Sequence, residues 1–164
     1  MKQKKILISA CLVGKNVRYN AEMLFLEHWI IRLWQSQNLL IHVCPEVEGG
    51  LAVPREPAEI TGGNGNSVLK NLAKVICVSG ENVTTQFIDG AKKTLELALQ
   101  HQVSMAILKE RSPSCGHRQI YNGLFHGNTK TGMGVTAALL IKNGVVVFSE
   151  EELESAHRSW LKDG

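Results

Sequence analysis

Five short apolar runs constrain the fold more than any other feature of this chain: KILIS (Lys5–Ser9), LLIHV (Leu39–Val43), VICV (Val75–Val78), MAIL (Met105–Leu108) and VVVF (Val145–Phe148). Most are rich in β-branched residues and all are too short for a buried helix, so they read as strands covered on both faces. Between them the spacing changes. From Glu22 to Gln37, residues Met23, Leu26, Trp29, Ile30, Leu33 and Trp34 fall on one broad helical face. From Val83 to His101, Phe87, Ala91, Leu95, Ala98 and Leu99 do the same. Val135–Ile141 and Glu151–Leu161 complete the predicted helices. Strands that alternate with helices require parallel β-α-β units. The expected fold is therefore α/β, a Rossmann-like three-layer sandwich with a mainly parallel central sheet. At 164 residues the chain has the length for one core, so a single domain over residues 1–164 is expected.

Composition narrows the function classes. The apolar fraction of 44% and charged fraction of 20% suit a soluble protein, and no stretch of about 18 or more apolar residues offers a membrane span. The net charge is only +3 and the lysines and arginines are scattered, so neither a membrane nor a nucleic acid is an expected partner. The N-terminus begins basic and turns apolar, but polar residues interrupt the run and no small-residue cleavage site closes it. It reads as a first strand rather than an export signal. The expected location is then the cytoplasm, and the four cysteines are expected as reduced thiols rather than disulfides.

Where those cysteines fall matters more than their number. Cys11 follows the first strand, Cys44 ends the second and Cys115 follows MAIL, while Cys77 lies inside VICV and reads as a small buried hydrophobe. In a parallel sheet the carboxyl ends of the strands share one edge, where ligands bind in open α/β folds. Cys11, Cys44 and Cys115 can therefore meet although they are far apart in sequence. Three thiolates suit several chemistries. A structural zinc site normally shows paired C-x-x-C ligands and closes four positions, and no C-x-x-C occurs here. A nucleophilic cysteine needs a base in reach, and the spacing singles out none of His42, His117 and His126. Clusters normally take four thiolates, so a four-iron cluster on three cysteines leaves one iron open and points to catalysis rather than electron transfer. The residues alone leave these readings open.

Two segments, Pro45–Asn71 and Arg111–Gly134, are rich in glycine or turn residues, show no strong period, and read as irregular loops over the same sheet edge. The first carries Glu46, a candidate general acid or base two residues past Cys44. It also carries Arg55, suited to an anionic or carbonyl ligand, while Glu48, Glu56 and Glu59 read as solvated loop charges. The second carries Ser112 and Ser114 beside Cys115, either suited to moving a proton, with Lys109 just before it. GMGVTA (Gly132–Ala137) matches the dinucleotide pattern weakly, because loop rather than strand precedes it. It reads as a helix start packed closely against the site, its N–H groups available to an anion.

Taken together, ISACLVGKNVRYN, CPEVEGGLAVPREPAEI, LKERSPSCG, YNGLFHG and GMGVTAALL resemble, in order and over nearly the full length, the small bacterial family of unknown function that includes the thiouracil desulfidases. The resemblance implies a Rossmann-like domain with an oxygen-sensitive 4Fe-4S cluster on Cys11, Cys44 and Cys115, and a free iron that takes sulfur from a thiolated pyrimidine. It implies Glu46 as the catalytic carboxylate and a catalytic serine in SPSCG, either Ser112 or Ser114. The expected activity is removal of sulfur from 2-thiouracil or a related thiolated base or nucleoside, with sulfide released and no net electron transfer. Arg55 and Lys109 are candidate substrate contacts. The chain departs from the family's common RYD at Asn20. Two alternative readings are a non-catalytic module that binds or delivers sulfide or metal, and a zinc hydrolase on the same cysteines.

Overall fold

A computed structural model describes residues 3–21 and 26–163. Along the chain the elements are β1 (Ile6–Ser9), α1 (Trp29–Ser36), β2 (Leu40–Val43), α2 (Pro45–Glu48), β3 (Ala58–Thr61), α3 (Gly65–Leu69), β4 (Lys74–Cys77), α4 (Thr84–Gln100), β5 (Met105–Leu108), β6 (Gln119–Tyr121), β7 (Thr129–Thr131), α5 (Val135–Lys142), β8 (Val146–Ser149) and α6 (Leu153–Asp163). Short 3-10 turns at Ala10–Leu12 and Glu150–Glu152 follow β1 and β8. The start predicted for the first helix, Glu22–Phe25, lies outside the described residues.

The central sheet is wholly parallel, in the order β2-β1-β5-β8. Its inner strand β1 is buried on both faces, with Ile6, Leu7 and Ile8 at zero exposure. Ile6 and Ile8 point to one layer, with Ile30 and Trp34 of α1 and Leu153 and Ala156 of α6. Leu7 points to the other, with Ala98 of α4 and Ala137 and Leu140 of α5. Alternate residues of one strand thus bind both helical layers, and each large aliphatic buried this way contributes about 1.5–3 kcal/mol. The predicted α/β sandwich is the observed fold. Two predicted face positions differ: Trp29 and Leu99 are exposed, while Ile31, not assigned to the face, is buried.

VICV is a strand, as predicted, but not one of the central sheet. The observed strand, shifted by one residue to Lys74–Cys77, pairs antiparallel with β3, Ala58 opposite Cys77, and this hairpin builds a third apolar cluster with Phe87, Ala91 and Val135. The two segments read as irregular are also more ordered than expected. The first contains α2, β3 and α3, and the second contains the antiparallel pair β6 and β7. These additions roof the carboxyl edge of the sheet.

Helix α2, which carries Glu46, is placed by a glycine–glycine crossing with α4. A Cβ on Gly90 would come within 1.9 Å of the Pro45 carbonyl oxygen, and one on Gly49 within 2.0 Å of the Gln86 carbonyl oxygen. Both obstacles are backbone and cannot swing aside. In an exposed helix interior, Gly→Ala gains about 1 kcal/mol. At Gly90 the clash outweighs that gain, so Gly90→Ala is expected to lose about 2 kcal/mol or more in urea denaturation. A stabilised variant would contradict this crossing.

Candidate functional site

In the order β2-β1-β5-β8 the strands are added outward to one side of β1 and then to the other, so the strand order reverses between β1 and β5. Open α/β sheets form their ligand crevice at such a switch point. A cavity of about 350 Å³ lies there. Cys11 enters it from the 3-10 turn after β1, Cys44 from the residue that caps α2 after β2, and Cys115 from the loop after β5. All are free thiols. Burial, then the neighbouring Cys44, pushes the Cys11 thiol up to about 11, although Lys109 and Arg18 oppose the shift. Burial pushes the Cys115 thiol up to about 12 against hydroxyl hydrogen bonds from Ser114 and Ser9, and the Cys44 and Cys11 charges add to the rise. Cys44 is also raised, chiefly by burial and despite the backbone N–H groups of Val47 and Glu46. The three sulfurs therefore feel one another's charge, and a bound metal must displace their protons.

The cavity walls offer no histidine among the described residues. His42 and His126 are exposed, and His117 faces Glu152, with Nδ1 3.2 Å from its Oε1. Three thiols without a fourth sulfur or nitrogen donor leave a structural zinc site one ligand short. They suit a cluster with one iron free of protein ligands. Hydroxyls directed at the Cys115 sulfur, with Ser114 Oγ at 3.5 Å, favour its thiolate form. Cys77 is packed in the hairpin cluster, as expected of a small hydrophobe.

The loop that carries Cys115 is held from two sides. Buried Glu110 collects four backbone N–H groups on one carboxylate oxygen: His117 at 2.9 Å, Arg118 and Gln119 at 3.1 Å, and Arg111 at 3.3 Å. Burial alone would raise its pKa, but these hydrogen bonds outweigh it and hold the carboxyl below the ordinary value. From the other side, the first N–H groups of α5 donate to the loop's carbonyls, Val135 to Pro113 and Thr136 and Ala137 to Ser114. The N–H groups expected to meet an anion at GMGVTA are therefore taken by the protein itself. The close approach read from that motif is present: a Cβ on Gly134 would lie 2.5 Å from the Ser114 carbonyl.

Glu46, Ser114 and Ser112 form one hydrogen-bonded line. Ser114 Oγ lies 3.4 Å from Glu46 Oε2, 3.5 Å from the Cys115 sulfur and 2.9 Å from Ser112 Oγ, so its one proton is shared among these acceptors. Ser114 is almost wholly buried, whereas Ser112 lines the cavity. The Ser112 oxygen also accepts the N–H groups of Ser114 and Cys115, at 3.2 and 3.1 Å, so its own proton is free to turn to Ser114 or to the cavity. Arg55 turns its guanidinium to Glu46 Oε1 at 3.5 Å and to the carbonyls of Val17 at 2.8 Å and Ala52 at 3.1 Å. Lys109 reaches the cavity, with its ammonium 3.0 Å from Glu150 and donating to the Glu110 carbonyl. Asn20, the family departure, is half-buried beside Tyr19 and engaged in an interaction of its own.

The structure thus brings Cys11, Cys44, Cys115, Glu46, Arg55, Lys109, Ser112 and Ser114 to one site. Sequence reasoning missed Ser9, Glu110 and Glu150 and misjudged Glu59, which is buried on β3 at 7% exposure. One signal was available. In LKERS a glutamate stands between a fully buried strand and a turn, where an exposed charge has little room.

A parallel α/β sheet with three unpaired thiols, a carboxylate and two hydroxyls at its crevice has the donor set of a sulfur-handling enzyme site. The comparisons give that class a family. Residues 6–152 match the model of the 2-thiouracil desulfurase family, and the chain belongs to it. It is 49% identical over 148 residues to the uncharacterized protein YbbK of Bacillus subtilis (strain 168), covering 90% of this chain and 97% of YbbK. It also superimposes on a solved structure of the [4Fe-4S]-dependent thiouracil desulfidase TudS with a TM-score of 0.88, at 39% identity, covering 96% of this chain and 98% of that one.

Glu110 supplies a stability test. Its carboxyl is held low in the fold, so its contribution is complete above the ordinary carboxylate value of 4.5 and is lost as pH falls from there toward the lower native value. Glu110→Gln is expected to lose about 1–3 kcal/mol at pH 7 and to show a flatter acid limb in urea denaturation. Equal stability at pH 7 would show that the four N–H groups do not need the charge.

Proposed function

We propose that this protein removes sulfur from 2-thiouracil or a related thiolated pyrimidine by hydrolysis, releasing sulfide and the oxo base without net electron transfer. Cys11, Cys44 and Cys115 are the residues that would hold a 4Fe-4S cluster. The observation that carries the reading is the convergence of three unpaired thiols with Glu46 on one cavity. Family membership and the likeness to TudS support it. When bound, the cluster supplies a thiophilic iron free of protein ligands for the substrate's sulfur.

The chain's own residues move the protons. Glu46, oriented by Arg55, takes a proton from water as the water oxygen bonds to the thiocarbonyl carbon. The carbon–sulfur bond then breaks and the sulfur leaves with the bonding pair. Glu46 returns its proton to Ser114, which passes its own to Ser112, and Ser112 on the cavity wall then gives its proton to the leaving sulfur or the ring. In this reading the two candidate serines share the work: Ser112 meets the substrate and Ser114 joins it to Glu46.

Anaerobic reconstitution with iron and sulfide, followed by sulfide release from 2-thiouracil, tests the reading. Glu46→Gln is expected to retain iron and lose about 10²–10⁴-fold in kcat. Ser112→Ala should lower kcat more than Ser114→Ala, and Cys115→Ser should lose iron. Full turnover by Glu46→Gln would overturn the role of Glu46. A loaded wild type that binds sulfide but turns over no thiolated pyrimidine would leave a sulfide-binding module instead.

A further inference from the structure

Glu59 is a charge in an apolar roof. It sits on β3 between Ala58 and Ile60, and Ile60 packs into the hairpin core, so Glu59 takes the opposite face, where it lines the cavity. The residue is 7% exposed, and no cation pairs with it among the described residues. One oxygen, Oε1, accepts the N–H groups of Gly123 at 2.9 Å and Phe125 at 3.2 Å. The other, Oε2, receives no hydrogen bond among the described residues, yet it is not among the sealed, partnerless polar atoms. The loop that holds Oε1 adopts left-handed backbone at Gly123 (φ +90°) and, unusually for a large side chain, at Phe125 (φ +56°). Phe125 and Tyr121 line the same part of the cavity. A strained loop therefore fixes a buried carboxylate with one oxygen committed to backbone and one left toward the ligand space.

We infer that Glu59 is a specificity residue whose Oε2 accepts a ring N–H of the substrate, selecting cyclic thioamides that carry that proton over N-substituted ones. The inference rests on the desulfidase reading of the site. A buried carboxylate facing a ligand without a donor stays desolvated and unpaired, and sites built around one hydrogen bond reject ligands that lack it strongly. Glu46 is engaged through both oxygens, by Arg55 and Ser114. Glu110 and Glu59 each commit one oxygen to backbone N–H groups, and of the two it is Glu59 that the loop of the cavity-lining Phe125 holds. Glu59→Gln keeps an oxygen for Gly123 and Phe125 and turns an N–H₂ donor toward the cavity, reversing the recognition while preserving the loop.

The test uses cluster-loaded protein with 2-thiouracil, its N1-methyl and N3-methyl derivatives, and uracil as a binding probe. In the wild type, methylation at one of the two ring nitrogens should raise KM by at least about tenfold over the other. Glu59→Gln should raise KM for 2-thiouracil by at least about tenfold with kcat within about threefold, should lose the discrimination between the methyl isomers, and should weaken uracil binding in parallel by calorimetry. Equal handling of both methyl isomers by the wild type overturns the inference whatever the variant's fold, as does a folded Glu59→Gln with unchanged KM. Uracil binding that depends on Glu59 in a protein releasing no sulfide would uphold Glu59 and reject the desulfidase reading. Sulfide release with no dependence on Glu59 would do the reverse.

Discussion

The carboxylate of Glu110 is the interaction on which the site depends. One buried oxygen gathers the N–H groups of Arg111, His117, Arg118 and Gln119, and so bends the chain after β5 back on itself with Cys115 at the top of the bend. Its own N–H donates to Glu150, whose other oxygen meets Lys109. The end of β5 is thereby tied to the end of β8. The N-terminus of α5 closes the same loop from below through the carbonyls of Pro113 and Ser114. A thiol that must meet two others from distant strands needs this fixing, because a loose loop would spend the gain of ligation on its own ordering.

Around that loop the charges are arranged in opposition. Lys109 and Arg18 lower the Cys11 thiol, while burial, the neighbouring Cys44 and Glu150 raise it. Without metal the balance favours neutral thiols. A bound cation reverses it, since metal charge outweighs every side chain at contact distance. Glu46 stands at the boundary, joined to Arg55 on one oxygen and to the serine line on the other. A carboxylate held from both sides in this way is positioned by its neighbours, and of the two only the serine side offers a hydroxyl proton.

Much of this was legible in the chain. Aliphatic runs such as KILIS and MAIL mark strands buried on both faces, and their alternation with helices fixes a parallel sheet whose carboxyl edge must gather Cys11, Cys44 and Cys115. Which sheet a strand joins was not legible. VICV pairs instead with AEIT, whose strand character is masked by Glu59, and β6 and β7 have three residues each and are largely polar. The buried carboxylates were hidden for a related reason. Glu59 and Glu110 look like surface charges because the N–H groups that make their burial tolerable come from loops more distant in sequence, at Gly123 and Phe125 and at His117–Gln119. Ser112 and Ser114 could not be separated by type or spacing. Their difference is one of exposure, with Ser112 on the cavity wall and Ser114 behind it.

The central claim is that three cysteines hold a cluster whose remaining iron meets the substrate's sulfur. Mössbauer spectroscopy of anaerobically reconstituted protein, recorded before and after addition of 2-thiouracil, tests it most directly. The account predicts a 4Fe-4S spectrum in which a single iron site changes on addition while the thiolate-held sites keep their parameters. A spectrum without such a cluster, or one left unchanged by 2-thiouracil while sulfide is released, would contradict it.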